Sequence, residues 1–452
     1  MVTDAPLGVN VVGYLDAPLG IGEVARNAAA ALALAGVGVA EITVSSDVGT
    51  QGRDARPPEV AYPVNLVCIN PDGLPGAEAQ LGRAFFADRY TIGYWWWEVD
   101  TLPPRWERGF DFVDEVWTGS RFVADALAPA SPVPVLRMPV AVAPPIAARD
   151  GLALPDGFKF LTIYDYRSVS ARKNPLGVID AFRRAFGDSG AASLVLKSVG
   201  KEDRPDEHAR VASLAHETGK VHLVDRALPP NEVGSLVAAC DAYVSLHRAE
   251  GFGLPLAQAL YAGKPVIATG YGGPMDYLTP SNSYCVGYRL TAIGAGNEPY
   301  PADGHWAEPD LDEAAECMRR IVDQPDDAAE RAGAARRDAE RLFSAERAGA
   351  EMGARLARVT LGRSSTRAPS SAVAELVRVL ETELEPRPGR RAEAARGGLR
   401  RALYRVLRPY TTYRREVDAE LIRTLRALEE RLDGLERSLA ALKSMQTRKP
   451  DE

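Results

Sequence analysis

Residues 247–269 (HRAEGFGLPLAQALYAGKPVIAT) constrain the fold more tightly than any other stretch of this chain. The segment reads as loop, helix, strand. Gly251 and Gly253 allow a tight turn and a close backbone approach to a ligand. Pro255 suits the start of a helix, where its missing N–H costs nothing. Gly263 is placed to stop that helix. Pro265 to Ala268 then reads as a short buried strand. A helix N-terminus beside a glycine loop favours a phosphate group. Glu250 falls in the loop, and Gln258 in the first turn or so of the helix. The plain structural alternative is an ordinary turn in any doubly wound domain.

At these residues the chain resembles the retaining glycosyltransferases of family 4, which have the GT-B architecture. Their signature places two glutamates with seven residues between them around Glu-Gly-Phe-Gly-Leu-Pro. Here Glu250 and the run Gly251, Phe252, Gly253, Leu254 match, but Gln258 stands where the second acid is usual. The resemblance implies that Glu250 sits near the transferred sugar. It also implies that the glycine-loop amides meet a nucleotide diphosphate, and that the second acid holds the ribose hydroxyls. An amide accepts fewer hydrogen bonds than a carboxylate, so Gln258 is expected to weaken nucleotide binding without removing the chemistry. An ordinary variant at that position is the alternative.

The rest of the chain fits two facing Rossmann-like domains, an α/β arrangement. In the first block, strands are expected at Gly8–Leu15, Val37–Val44, Val64–Ile69, Tyr90–Trp96 and Glu115–Thr118. The alternation with helical stretches argues for a parallel sheet covered on both faces. Proline-rich Pro132–Pro145 reads as an inter-domain linker. In the second block, strands are expected at Lys159–Tyr164, Ser193–Ser198, Val221–Val224 and Ala242–Leu246. Helices are expected at Pro175–Phe186, Leu311–Val322 and Asp327–Leu342. The expected organisation is an acceptor domain over 1–148 and a donor domain over 149–345. A crossover helix and linker over 346–390 follow, then a basic amphipathic segment over 391–416 and a coiled coil over 417–446. Ligands should bind at the strand C-termini, in the cleft.

Further candidates follow from these blocks. Gly20-Ile-Gly22-Glu23-Val-Ala25 formally matches a dinucleotide fingerprint. The glycines come about five residues after the strand rather than immediately, and Glu41 sits inside strand two rather than at its end. The resemblance instead lays Gly20 and Gly22 against the donor diphosphate and acceptor. Glu23 reads as an acid favoured by the helix dipole. After the first strand of the second block, Arg167 and Lys173 fit the Arg and Lys of the family, with Arg172 as an alternative to either. Two fixed cations would stabilise the charge left on a departing nucleoside diphosphate. A solvated basic turn is the bland alternative. By the resemblance, Asp276, after Gly272-Gly273, borders the sugar. His247, at a strand end, is expected to line the cleft.

The five histidines all lie in the second block, so the first-domain histidine common in the family is missing. Tyr94, Trp96 and Glu98 are the acceptor-side candidates in its place. The tryptophans either stack on a sugar or form core.

The four cysteines are far apart and suggest no metal pair, which points to a reducing compartment. No apolar run approaches the roughly 20 residues of a membrane span, and the N-terminus lacks a signal-peptide pattern. The expected location is cytoplasmic, with peripheral contact on the inner membrane face. Arg387 to Arg415 holds ten arginines and one acid, Glu393. A basic amphipathic helix there suits an anionic membrane surface. A linker helix or a partner-docking segment is the alternative. Leu421, Leu425, Leu428, Leu432, Leu435, Leu439 and Leu442 alternate spacings of four and three, an a/d seam. It points to a homo-oligomer. With a net charge of −7 and no nucleic-acid motif, nucleic acid is not an expected partner.

The expectation is a hexosyltransferase that uses a nucleotide sugar, with no metal or other cofactor. Its acceptor would be a glycan or lipid-linked oligosaccharide in cell-surface polysaccharide synthesis. GDP-mannose is the favoured donor by family habit, with other donors open. The competing reading is a catalytically inactive GT-B scaffold in a polysaccharide-assembly complex, suggested by Gln258, the absent histidine and the coiled coil. A phosphorylase is disfavoured because no lysine motif for pyridoxal is evident.

Overall fold

A computed structural model describes residues 7–17, 19–45, 62–146, 154–187 and 189–365. The chain divides into two compact units, Met1–Arg387 and Pro388–Glu452, and all described residues belong to the first. The helical piece expected at 372–384, the basic segment at 391–416 and the leucine seam at 417–446 lie outside the described residues.

Two six-stranded parallel sheets carry the fold. The first contains β1 (Gly8–Gly13), β2 (Gly38–Thr43), β3 (Val64–Cys68), β4 (Tyr90–Tyr94), β5 (Glu115–Thr118) and β6 (Val135–Arg137), in the order β2-β1-β3-β4-β5-β6. The second contains β7 (Phe158–Asp165), β8 (Ala192–Val199), β9 (Val221–Asp225), β10 (Ala242–Ser245), β11 (Val266–Thr269) and β12 (Tyr284–Val286), in the order β12-β11-β10-β7-β8-β9. Central strands β1 and β3 are buried along their whole length, as helices on both faces require.

Strand order decides where a ligand can sit. The order reverses between β1 and β3 in the first sheet, and between β7 and β10 in the second. At such a reversal neighbouring connections leave on opposite faces and open a crevice at the strand C-termini. The loops that leave β1, β7 and β10 are the glycine segment at Gly20, the basic turn at Arg167–Lys173 and the Glu250 loop.

Several elements differ from the sequence expectation. The stretch Pro132–Pro145 is not a free linker: β6 forms inside it, and Val140 and Val142 are buried against the second domain. Proline before a short edge strand costs no ladder bond, so the composition concealed it. Helices Pro205–Thr218 and Pro230–Ala239 were not expected. The first buries only Val211 and Ala215, too sparse a stripe to read. An antiparallel hairpin, β13 (Tyr288–Ala292) with β14 (His305–Pro309), extends from the second sheet. Its Ile293, Tyr300 and Trp306 pack with Trp95, Trp97 and Trp106 of the first domain in one apolar cluster.

Helix Ala345–Ser365 carries the chain back to the first domain. Ala348, Met352, Leu356 and Val359 are buried along it at helical spacing. Gly349 lets it approach closely, since a Cβ there would lie 1.9 Å from the Ala31 carbonyl oxygen. Arg355 pairs with Glu115, which is 0% exposed and also accepts from Tyr90 and Trp117. Removing one partner of such a pair strands a buried charge, so Arg355→Met should destabilise by about 3–5 kcal/mol. The urea midpoint would report this, and a loss under about 1 kcal/mol would contradict it.

Candidate active site

The loops after β7 and β10 are stitched together before any ligand is considered. Asn174 adopts a left-handed backbone, φ 56°, and caps the helix Pro175–Phe186 by accepting from Gly177 N. Its Nδ2 donates to the Leu246 carbonyl at 3.0 Å. Arg248 N donates to the Arg172 carbonyl at 2.7 Å, and the Arg172 guanidinium donates to the Ala249 carbonyl at 2.9 Å. Val169 takes a φ of 59°, a strained position for a β-branched residue. It starts the short helix Ser170–Lys173, which aims two cations at Glu250.

Glu250 is the centre of the arrangement. Lys173 Nζ lies 2.5 Å from its carboxylate, and Arg172 Nη1 lies 3.5 Å away. Burial alone would push its carboxyl up, but Lys173 and Arg172 together hold it down at about 2. Burial and then Arg172 push the Lys173 ammonium down, while Glu250 opposes them. Arg172, 4% exposed, also approaches Glu98 of the first domain at 3.9 Å. Tyr300 of the hairpin loop donates to Glu98 at 2.9 Å. Burial opposes the charge on Arg172, but Tyr300, Glu98 and Glu250 keep it above its usual value. A chain of alternating charge therefore runs Lys173, Glu250, Arg172, Glu98 across the two domains.

The backbone around Glu250 is equally determined. Gly253 has φ 84° and opens the helix Leu254–Tyr261, so its amides face the loop. At Gly251 a Cβ would lie 2.4 Å from the Trp97 carbonyl oxygen, so only glycine allows this contact between the domains. Ser120 Oγ donates to the Gly251 carbonyl at 2.6 Å, and Gly273 N donates to the Glu250 carbonyl at 2.8 Å. A narrow crevice lined by Tyr243, Lys173, Glu250, Gly253 and Pro255 leads to the helix N-terminus. A larger cavity of about 480 Å³ lies against Ser170, Asn174, Arg204, Arg210 and Asn297 and does not include Glu250.

Other candidates fall elsewhere. Arg167 does not reach Glu250: its guanidinium is bidentate to Asp165 at 2.8–3.0 Å and remains half exposed. Arg172 holds the place beside Glu250 instead. Tyr94 lines no cleft, because β4 turns it into the core at 0% exposure. Trp96 is partly exposed and contacts Phe252 across the domains at 5.9 Å between rings. Phe252 itself is core, packed on Tyr277 and Phe343. Leu254 is half-buried at the first helical position. Asp276 accepts from Arg121 N at 2.8 Å and pairs with Arg137 at 3.1 Å, so it ties the domains together. Gly22 is needed for packing, since a Cβ would meet the Tyr14 carbonyl oxygen at 2.4 Å, whereas Gly20 faces open space. Gln258 sits in the second turn of its helix, not the first, and its Nε2 donates to Glu23 at 2.7 Å.

His247 is buried rather than cleft-lining. Its Nε2 meets the Tyr271 carbonyl and its Nδ1 meets Ser245 Oγ, both at 3.1 Å. A carbonyl only accepts, so the proton is on Nε2. Burial pushes the ring pKa down to about 4. Between about pH 6.5 and 4 the unfolded chain binds a proton that the folded one refuses. Stability present above pH 6.5 is therefore lost as pH falls towards 4, by on the order of 3 kcal/mol. Urea midpoints of the wild type and His247→Asn across this range should converge on acidification, and parallel curves would contradict this assignment.

Sequence reasoning left Arg172 as an alternative, and gave Glu23 and Tyr300 no ligand role. The partners of Glu23 and Tyr300 lie 235 and 202 residues away, so local spacing carried no signal for either.

Residues 156–289 match the family described as glycosyl transferases group 1. No curated protein matches the chain. Among solved structures it is similar to Anabaena HepE in complex with UDP and glucose, at 14% identity and TM-score 0.54, covering 78% of this chain and 100% of that one. Sucrose-phosphate synthase from Thermosynechococcus elongatus aligns at 16% identity and TM-score 0.57, covering 79% and 100%. A glycosyltransferase from Rickettsia africae aligns at 14% identity and TM-score 0.52, covering 78% and 99%. At these identities the likeness is one of fold. Two facing parallel sheets with the Glu250 loop at the strand reversal are thus a GT-B architecture, whose second half carries the match to glycosyl transferases group 1 over residues 156–289.

Proposed function

We propose that this chain is a retaining glycosyltransferase that moves a hexose from a nucleotide sugar to a glycan or lipid-linked oligosaccharide in cell-surface polysaccharide synthesis. The observation that carries the reading is Glu250, held ionised by Lys173 and Arg172 beside the free N-terminus of helix Leu254–Tyr261. A diphosphate placed on that N-terminus meets aligned amides and the positive end of the helix dipole. In this reading Lys173, beside Glu250, and Arg167, half exposed and paired with Asp165, supply the cations that meet this anion. The buried Arg172 keeps Glu250 and Glu98 in place.

In this reading Glu250 faces the sugar and supports positive charge growing at the anomeric carbon. The cations take the negative charge of the departing diphosphate, and the acceptor hydroxyl attacks on the face the diphosphate leaves. Such a site needs no metal or other cofactor. Glu98 and Trp96 border the acceptor side. The test is release of UDP or GDP from UDP-hexoses and GDP-mannose with and without glycan acceptors, with product anomeric configuration read by NMR. Donor turnover with retained configuration supports the reading, and an inverted product or none overturns it.

The scaffold alternative rests on Gln258, whose amide is turned to Glu23. It predicts nucleotide binding without turnover.

The basic segment 391–416 and leucine seam 417–446 complete the proposal: a homo-oligomer on the anionic inner face of the cell membrane. Among the described residues no helix is long and apolar enough to cross a membrane. A chain ended after Ser365 should be monomeric by light scattering and should no longer float with anionic liposomes. An unchanged oligomer would overturn the leucine-seam reading.

A further inference from the structure

Glu23 is an unexplained charge. It lies in the first turn of helix Gly20–Leu34 and is half-buried. Among the described residues its one direct side-chain partner is the neutral amide of Gln258, 2.7 Å away. The nearby Arg26 guanidinium is directed instead to the carbonyls of Leu15 and Ala17, at 2.6 and 3.2 Å. Burial opposes the charge on this carboxylate and outweighs the help of the nearby Arg26 charge and the Gln258 amide, a deficit that is offset when a ligand supplies further donors.

The position of this pair suggests the ligand. Gln258 follows Leu254 by four residues, so it lies about one turn, roughly 5.4 Å, along the helix whose N-terminus takes the diphosphate. In a nucleoside diphosphate a single methylene joins the phosphates to the ribose, which places the 2′ and 3′ hydroxyls about that far on. Each hydroxyl needs an acceptor. Gln258 spends its NH₂ on Glu23 Oε1, which leaves its carbonyl oxygen and the second carboxylate oxygen as acceptors.

We propose that Glu23 supplies, from the opposite domain, the carboxylate that binds the vicinal diol of the donor ribose, with the Gln258 amide holding it in place. This rests on the donor-site reading above. The acid and the amide are shared between two helices of facing domains, so ribose binding draws on both. Nucleotide affinity then depends on a residue of the first domain.

The test is calorimetry of the full chain with UDP, GDP and their 2′,3′-dideoxy analogues. The wild type should bind one ribonucleotide at least about tenfold more tightly than its dideoxy analogue, the size of one charge-assisted hydrogen bond. Glu23→Gln should shrink that gap to under about threefold and leave dideoxy binding unchanged. Combining Glu23→Gln with Gln258→Glu exchanges acid and amide across the cleft and should restore the gap. A gap unchanged in Glu23→Gln overturns the proposal, as does an equal loss for both analogues. If the wild type binds neither UDP nor GDP, the donor-site reading itself fails and takes the proposal with it.

Discussion

Glu250→Gln should lower glycosyl transfer by about a hundredfold to a thousandfold and leave a folded protein. The amide keeps the size of the side chain and removes the charge that the proposed mechanism sets against the anomeric carbon. Glu250→Ala is the harsher change. Both variants take the Glu250 charge from Lys173 and Arg172, but alanine also removes the oxygen that these cations approach at 2.5 and 3.5 Å, and should cost about 3–5 kcal/mol of stability as well. Activity loss in the alanine variant would therefore mix two causes. Initial rates of nucleotide diphosphate release, with a thermal melt of each variant, separate them. Near-normal turnover in Glu250→Gln would refute the assigned role.

The second large effect falls on Arg172. Its guanidinium is nearly inaccessible, faces two carboxylates from different domains, and donates to the Ala249 and Ser168 carbonyls. Arg172→Met removes the charge between Glu250 and Glu98 and should destabilise by about 3–5 kcal/mol. The half-exposed Arg167, paired with Asp165, should by contrast lose less than about 1 kcal/mol on mutation to alanine. Urea midpoints of the two variants compare them directly. Equal losses would mean that the buried charge chain does not stabilise the domain contact.

The fold was largely legible because its strands are apolar runs punctuated by glycine and proline. The helix Pro175–Phe186 and strand Glu115–Thr118 were read to the residue. Where the reading missed, local composition opposed tertiary context. Proline hid β6, and the polar helix Pro205–Thr218 shows little stripe because it covers the sheet with two small contacts. The aromatic run Tyr94–Trp97 had two readings because a sequence does not show which face is covered. The structure buries Tyr94 in one apolar cluster and Trp95 and Trp97 in another, with only Trp96 partly exposed.

At the site, the sequence motif named Glu250 and Lys173, which the structure places in contact. It favoured Arg167, with Arg172 only as an alternative, whereas the short helix that follows Val169 and its positive φ sets Arg172 beside Glu250. His247 looked like a cleft residue from its strand-end position, yet both ring nitrogens are satisfied internally. Glu23 passed for a helix-dipole acid because its partner lies in the other domain.

The proposed function requires the crevice at Glu250 to be a working nucleotide-sugar site that uses cations rather than a metal. The most direct test is a thermal-shift series with UDP, GDP, ADP and their common sugars, with and without Mg²⁺. A rise with one nucleotide, the same with and without the metal, is expected. At 100 times the dissociation constant the ligand should add about 2.7 kcal/mol. No rise with any nucleotide, or a rise that requires Mg²⁺, would contradict it.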